Sequence, residues 1–333
     1  MKMKRTVLVL MAAALMVGCN SPENKALSKR SSSGKTCEVL LAADRGPYEA
    51  AVGAWVDSVL RAPQEGLPQP EARFSVVNVP VSSLRNTQMF KMHRNIILCE
   101  VKDGNPDKCY IHRNQWAEPQ VVVDMAASSE ASLRELLGQH ATQIVEELYR
   151  SEYLRMDKAF YKDRNVELMS RVKEKFGFGL TLPQEFTWAK EDGDFVWLRK
   201  ETKDFGLGVL VWVSPYQREE QFTPEKILNR LDTLMRREVP GPAEGSYMGT
   251  ERRVKPESRV VAFEGSKYCV ETRGLWRLFG DYMGGPYVCY TLLSPDGSRV
   301  VDLIGYVYCP RFDKRDYLMQ VDGICRSIKW DKK

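Results

Sequence analysis

The first hydrophobic feature of the chain is an uncharged apolar run, Val7 to Val17, preceded by Lys2, Lys4 and Arg5 and followed by Gly18-Cys19. The run is too short to cross a bilayer comfortably, which favours a removable signal over a transmembrane helix. From Asn20 to Lys35 the sequence is polar, rich in serine and lysine, and free of aromatic and β-branched residues. Such a stretch reads as a flexible tether with a root-mean-square span of about 20 to 25 Å. Apolar patterning that can fold begins near Thr36. Cys37 to Ala42 reads as a strand, and Gly46-Pro47 starts a helix in which Tyr48, Val52, Trp55, Val56 and Val59 recur at helical spacing until Pro63. A proline-rich turn through Pro68 and Pro70 leads to a strand at Phe74 to Val79. A short helix from Ser83 to Lys91 and a strand from Asn95 to Val101 come next. The turn Asp103-Gly104-Asn105-Pro106-Asp107 then predicts a hairpin, and Gln120 to Asp124 a further strand.

Ser132 and Glu135 form a capping-box pattern ahead of one apolar face made by Leu133, Leu136, Leu137, Ile144, Val145 and Leu148. Helical sequence continues, with a break, to Phe176, where Gly177 ends it. The second half alternates strands with turn signals: Gly179 to Leu182, Phe186 to Ala189, an Asp192-Gly193 hairpin turn, Phe195 to Lys200, and Leu207 to Val213. Thr223 with Pro224 starts a helix that turns Ile227, Leu228, Leu231 and Leu234 inward. Further strands flank Gly284-Gly285-Pro286 and Pro295-Asp296-Gly297, and a last helix runs from about Asp313 to Ser327. The expected fold is α+β. Two mixed-sheet lobes, an N-terminal α/β lobe over 36–150 and a C-terminal lobe over 177–333, are joined by a helical bridge over 151–176.

Met16-Val17-Gly18-Cys19 resembles the lipobox of bacterial lipoproteins, with Met16 where leucine is usual. The resemblance implies that Cys19 is diacylated on sulfur, freed by cleavage after residue 18 and acylated on its new amine, so that 19–35 is a lipidated tether. An ordinary secretory signal that ends by coincidence in cysteine is the alternative. No acidic cluster follows Cys19, and Asn20 differs from the aspartate that retains many enteric lipoproteins at the inner membrane. These resemblances imply an outer-membrane lipoprotein facing the periplasm. Lys25, Lys29, Arg30 and Lys35 against the single Glu23 suit contact with anionic headgroups or a merely soluble linker.

Composition narrows the function. The whole-chain charge of +5 falls to +2 once the three basic residues of the signal are removed, so the basicity is largely a targeting feature. A nearly balanced chain with scattered charges lacks the clustered basic face of a nucleic-acid binder, and none is expected as a partner. Seven cysteines remain besides Cys19: Cys37, Cys99, Cys109, Cys269, Cys289, Cys309 and Cys325. An odd number cannot all pair within one chain. If the turn at 103–107 closes a hairpin, Cys99 and Cys109 can face each other across it as a disulfide; unpaired buried thiols are the alternative. No Cys-x-x-Cys motif occurs, and neither a metal nor a cofactor is expected.

Two constellations carry candidate chemistry. His-Arg-Asn occurs twice, at His93 to Asn95 and at His112 to Asn114, on the two arms of the predicted hairpin. Brought together, they can bind an anion or supply a base; polar residues satisfied at a sheet edge are the plainer reading. Arg273, Trp276 and Arg277, with Asp281 and Gly284-Gly285-Pro286, form the second. Arginine beside an aromatic face suits a carboxylate or sugar phosphate, whereas a tight turn beside a core tryptophan explains the same residues. Gly34-Lys35-Thr36 imitates the end of a phosphate-binding loop but lacks the upstream glycine, and the sequence contains no Gly-x-Ser-x-Gly, His-Glu-x-x-His or Gly-x-Gly-x-x-Gly.

Pro68-Gln69-Pro70-Glu71, His93-Arg94-Asn95-Ile96-Ile97, Trp116-Ala117-Glu118-Pro119-Gln120, Arg273-Gly274-Leu275-Trp276 and Met283-Gly284-Gly285-Pro286 resemble, in this order, the landmarks of a family of bacterial lipoproteins catalogued only as a domain of unknown function. That resemblance implies a lipidated, exported setting and brings no catalytic residues. Leu180-Thr181-Leu182-Pro183 and the closing Arg326-Ser327-Ile328-Lys329-Trp330 also resemble PsbP/Mog1-like domains. The function expected is that of a non-catalytic envelope module that binds a protein or glycan partner. A periplasmic hydrolase or transferase acting on a cell-wall, glycan or peptide substrate is the alternative.

Overall fold

The structure, a computed structural model, describes residues 30–331. The expected signal segment 1–18, the expected lipidation site Cys19 and most of the expected tether lie outside the described residues. The end of that tether is docked. Glu118 N–H donates to Arg30 O at 2.9 Å, Ser33 N–H to Met92 O at 2.8 Å, and Arg94 N–H to Ser33 O at 2.9 Å. The expectation of a tether reaching Lys35 is corrected accordingly, because backbone pairing holds the chain to the lobe from Arg30 onward. Gly34 permits the approach: its φ is +103°, and a Cβ there would stand 2.6 Å from His93 Nε2.

The N-terminal lobe is a five-stranded mixed sheet. Its strands are β1 (Glu38–Ala43), β2 (Ser75–Val79), β3 (Asn95–Val101), β4 (Lys108–Arg113) and β5 (Val121–Ala127), in the order β2-β1-β3-β5-β4. The first four in that order run parallel, and β4 lies antiparallel on the β5 edge. Helix α1, wound from the consecutive pieces Arg45–Pro47, Tyr48–Val52, Gly53–Trp55 and Val56–Leu60, links β1 to β2. The short helices α2 (Val81–Asn86) and α3 (Gln88–Lys91) link β2 to β3 on the opposite face. Val39, Leu41, Ile97, Val123 and Met125 meet α1 and the long helix α4 (Glu130–Lys162), while Leu40, Ala42, Ile96, Leu98 and Val122 meet α2 and its neighbours. Burial on both faces explains why β1 and β3 read as near-continuous apolar runs rather than alternating ones.

Insertion of β5 between β3 and β4 corrects the hairpin expected around 103–107. Cys99 and Cys109 both align with Met125, one on each side of it. Two strand spacings of roughly 4.8 Å separate them, beyond the ~7 Å Cα limit for a disulfide. All seven cysteines of the described chain are free thiols. Helix α4 is capped by Ser129, whose extended backbone (φ −149°) precedes the helix and whose hydroxyl accepts Ser132 N–H at 3.1 Å. The expected cap at Ser132 is one turn too late.

The chain breaks at Asp163–Asn165 and resumes as α5 (Val166–Phe176), started by the Asn165 side chain on Leu168 N–H and ended by Gly177 at φ +72°. The C-terminal lobe holds a curled antiparallel sheet of β7 (Thr187–Asp192), β8 (Phe195–Glu201), β9 (Gly206–Pro215), β10 (Tyr247–Thr250), β11 (Glu257–Val260), β12 (Tyr268–Phe279), β13 (Gly284–Leu293) and β14 (Arg299–Tyr308). Its order is β10-β12-β13-β14-β9-β8-β7, with β11 also on the β12 edge. A small pair, β6 (Phe178–Gly179) with β15 (Lys329–Trp330), closes the lobe. Helix α6 (Pro224–Glu238) covers one face, and α5 with α7 (Arg315–Arg326) covers the other. Gly305 on β14 lets α7 lie close, since a Cβ there would meet Val321 Cβ at 2.9 Å.

Helix α7 binds the two lobes together. Met319 joins the N-terminal core, and the N-terminal-lobe carboxylate of Glu71 accepts the first N–H groups of α7, from Lys314 at 2.8 Å and Arg315 at 2.8 Å. A carboxylate there satisfies unpaired donors and complements the helix dipole. No described helix is long and apolar enough to cross a membrane.

Candidate functional site

The two His-Arg-Asn copies are not one site. His93 lies buried before β3, its Nε2 2.8 Å from Glu38 Oε1 and its Nδ1 3.0 Å from Asn95 O. His112 stands exposed on β4, with β5 between them. Expected proximity fails for the same reason as the disulfide: a later strand enters between the two arms. Arg273 and Trp276 are separated as well. Three residues apart on β12, they point to opposite faces of the sheet. Trp276 is buried on the α6 side and donates Nε1–H to Val307 O at 3.1 Å, with its ring edge-on to Tyr306. Arg273 is buried against α7. Arg277 is partly exposed, 3.4 Å from Glu251 Oε2 and over the Phe279 ring.

What the sheet does present is a groove on the outer face of the N-terminal lobe. Helices α2 and α3 are too short to cover the whole sheet, so β5 and β4 emerge from beneath them. The alternation in β4 records this: Cys109 and Ile111 turn to the core, while Lys108, Tyr110 and His112 face outward. A cavity of about 230 Å³ opens there, lined by Leu84, Arg85, Lys91, Leu98, Gln115, Trp116, Val122 and Asp124. Leu84, Leu98 and Val122 form an apolar floor, and Trp116, from the loop between β4 and β5, packs against their cluster. Cross-strand pairing puts Tyr110 opposite Asp124 and His112 opposite Val122. The Tyr110 and His112 rings stack with centroids 6.3 Å apart, so both extend the groove along β4.

The charges of this groove are unequally satisfied. Arg85 Nη2 holds Glu100 Oε2 at 2.7 Å. Asp124 makes no side-chain hydrogen bond to another described residue, and partial burial raises its pKa, opposed by the charges of His112 and Arg85 and assisted by Glu100. Lys91, partly buried at the end of α3, has no ion-pair partner among the described residues. Sequence reasoning found His112 and missed Asp124, Lys91, Trp116 and Tyr110. One signal was available: Asp124 interrupts Val121-Val122-Val123-Asp124-Met125-Ala126-Ala127, a carboxylate within an otherwise apolar inner strand.

A second cluster lies buried between the lobes. Arg273 Nη2 meets Asp322 Oδ2 at 2.5 Å and its Nε meets Glu271 Oε1 at 2.9 Å; Arg326 reaches Asp322 at 2.9 Å and Glu271 at 3.0 Å. Tyr153 of α4 and Tyr290 of β13 donate their hydroxyls to Asp322 at 2.8 and 2.7 Å. Burial opposes ionisation of Asp322 and Glu271, yet the two guanidiniums hold both carboxyls below their usual range; burial pushes both tyrosines up, keeping them protonated donors. Each partner is satisfied, so the cluster ties the lobes together and leaves no group aimed at a ligand. Among the described residues no group of three or more His, Cys, Asp or Glu side chains is placed to hold a metal ion.

With this geometry in hand, two stretches of the chain match families. Residues 32–161 match Domain of unknown function (DUF8532), and residues 165–327 match Domain of unknown function (DUF4837). The limits of the two matches fall at the Asp163–Asn165 break, so α4 goes with the first domain and α5 with the second. The groove lies wholly in the DUF8532 region, whereas the inter-lobe cluster draws Tyr153 from DUF8532 and its remaining members from DUF4837. No curated protein matches the chain.

Proposed function

We propose that the protein is a lipid-anchored module of the bacterial cell envelope, facing the periplasm, that binds a ligand in the groove of its N-terminal lobe. The anchor reading rests on the basic, apolar and small-residue regions that end at Cys19. The binding reading rests on one observation: a groove on the sheet in which an aromatic wall and an apolar floor border a carboxylate and an ammonium that have no ion-pair partner among the described residues. Docking of 30–35 supports a link between the two. Trp116, Gln115 and Lys91 flank the point where Arg30 and Ser33 are held, so the groove sits at the end of the lobe from which the chain leaves toward Cys19. Eleven residues from Cys19 to Arg30 reach at most roughly 40 Å, which keeps this end of the lobe near the lipid surface.

The placement of His112 and Tyr110 beside Asp124 favours a second reading, a hydrolase or transferase that uses these groups as acid and base. Native mass spectrometry on protein drawn from envelopes separates the readings. A small ligand retained by the wild type and lost in a Val122→Trp variant that melts at the wild-type temperature supports binding; steady conversion of added envelope peptides or glycans that stops in His112→Ala supports the enzyme. Wild-type protein with no retained ligand and no conversion overturns both.

A further inference from the structure

Among the described residues the groove carries one charge of each sign without an ion-pair partner, and that balance limits what can occupy it. Arg85 and Glu100 neutralise each other at 2.7 Å. The remaining two charges, Lys91 and Asp124, line the same 230 Å³ cavity without forming an ion pair with each other. An anion alone would pair with Lys91 and be repelled by Asp124, which is already desolvated enough that its pKa is raised; a cation alone would meet the converse. A neutral glycan would leave both charges to be buried without partners, at a cost that rises with how well it fills the cavity. Only a ligand that brings both signs satisfies both walls. The floor adds a further demand. Leu84, Leu98 and Val122, with Trp116 beside them, offer an apolar surface between the charges. The volume, below the roughly 300–1,000 Å³ of drug-sized sites, suits a ligand of one or two residues.

Resting on the groove as the binding site, we propose that its ligand is a small zwitterion with an apolar body: a free amino acid or dipeptide with an aliphatic or aromatic side chain. The ligand ammonium is held by Asp124, its carboxylate by Lys91, and its side chain by the floor and Trp116. Gln115 at the rim supplies an amide donor and acceptor for a peptide bond. Capture of chain-terminal charges in this way gives end specificity, because a blocked amine or carboxylate leaves a protein charge desolvated and unpaired.

The test is isothermal titration of the purified full chain with the dipeptide Ala-Leu, with N-acetyl-Ala-Leu and with Ala-Leu amide. Free Ala-Leu is expected to bind, and each blocked form to bind about tenfold or more weakly. Asp124→Asn should erase the penalty for acetylation and leave that for amidation, and Lys91→Gln should do the reverse; both sites are partly exposed, so the fold is kept. Blocked peptides that bind as tightly as the free one would overturn the zwitterion while leaving the groove a binding site. Ala-Leu binding that survives Val122→Trp would overturn the groove itself, and with it the reading on which the proposal rests. Absence of Ala-Leu and free leucine binding up to about 10 mM overturns the ligand class.

Discussion

At the scale of single residues, the charges that join the lobes are the buried Glu271, Arg273 and Asp322 with the partly exposed Arg326. Each has at least one partner on another element, so removal of Asp322 leaves Arg273 buried without its inter-element carboxylate. Asp322→Ala is expected to cost on the order of 3–5 kcal/mol, measured as the shift in urea midpoint at constant slope. The sign of the acid dependence follows. Asp322 and Glu271 have folded pKa values below their unfolded ones, so their contribution is complete above the usual carboxylate range. It is lost as pH falls below about 4 and onward through the folded values. Equilibrium unfolding at pH 3 and pH 7 should show a loss that is smaller in Asp322→Ala. The cysteines make a second prediction. Burial pushes the Cys99 thiol up to about 12 and that of Cys109 up to about 11, so maleimide labelling of the folded protein should be slow at neutral pH and complete after denaturation. A Cys99–Cys109 disulfide in a non-reducing digest would contradict the strand order.

At the scale of elements, the cap of α4 gives a discriminating pair. Ser129→Ala should cost about 1 kcal/mol by removing the acceptor of Ser132 N–H. Ser132→Ala, one turn inside the helix, should cost less, and thermal melts of the two variants check the order. Here the sequence was partly legible. The strand expected at Asn95 to Val101 coincides with β3, and the last helix differs from α7 by two residues at its start and one at its end, because apolar runs and helical spacing are local signals. Strand adjacency is not local. Nothing between Val101 and Lys108 tells that β5, a dozen residues later, will enter between β3 and β4, and the Cys99–Cys109 and His93–His112 proximities both depended on that one assumption. The cap at Ser132 was misplaced because Ser132 alone has a glutamate three residues on, Glu135, whereas the helix starts from the extended backbone of Ser129, whose hydroxyl takes Ser132 N–H without any capping-box partner.

At the scale of the whole molecule, α7, Glu71 and the inter-lobe charges make two domains into one body, with the groove on the side of the first domain turned away from the second. The α+β class and the long helical segment were legible from the succession of periodicities. The groove was not, since its lining is drawn from Leu84 to Lys91, Leu98, Gln115 to Trp116 and Val122 to Asp124, and no single stretch carries its chemistry. The anchor proposed at Cys19 rests on the sequence alone, and it predicts that Cys19→Ala moves the protein from the membrane to the soluble fraction on cell fractionation. The proposed binding groove is expected to be occupied in the cell envelope. The most direct measurement of this is in-cell photocrosslinking from position 115 at the groove rim, with mass spectrometry of the adducts against a crosslinker placed at the fully exposed Tyr282. A reproducible adduct at 115 alone, lost in Val122→Trp and reduced in Cys19→Ala, is the predicted result. An adduct at 115 that persists when the groove is filled, or adducts at 282 alone, would contradict it.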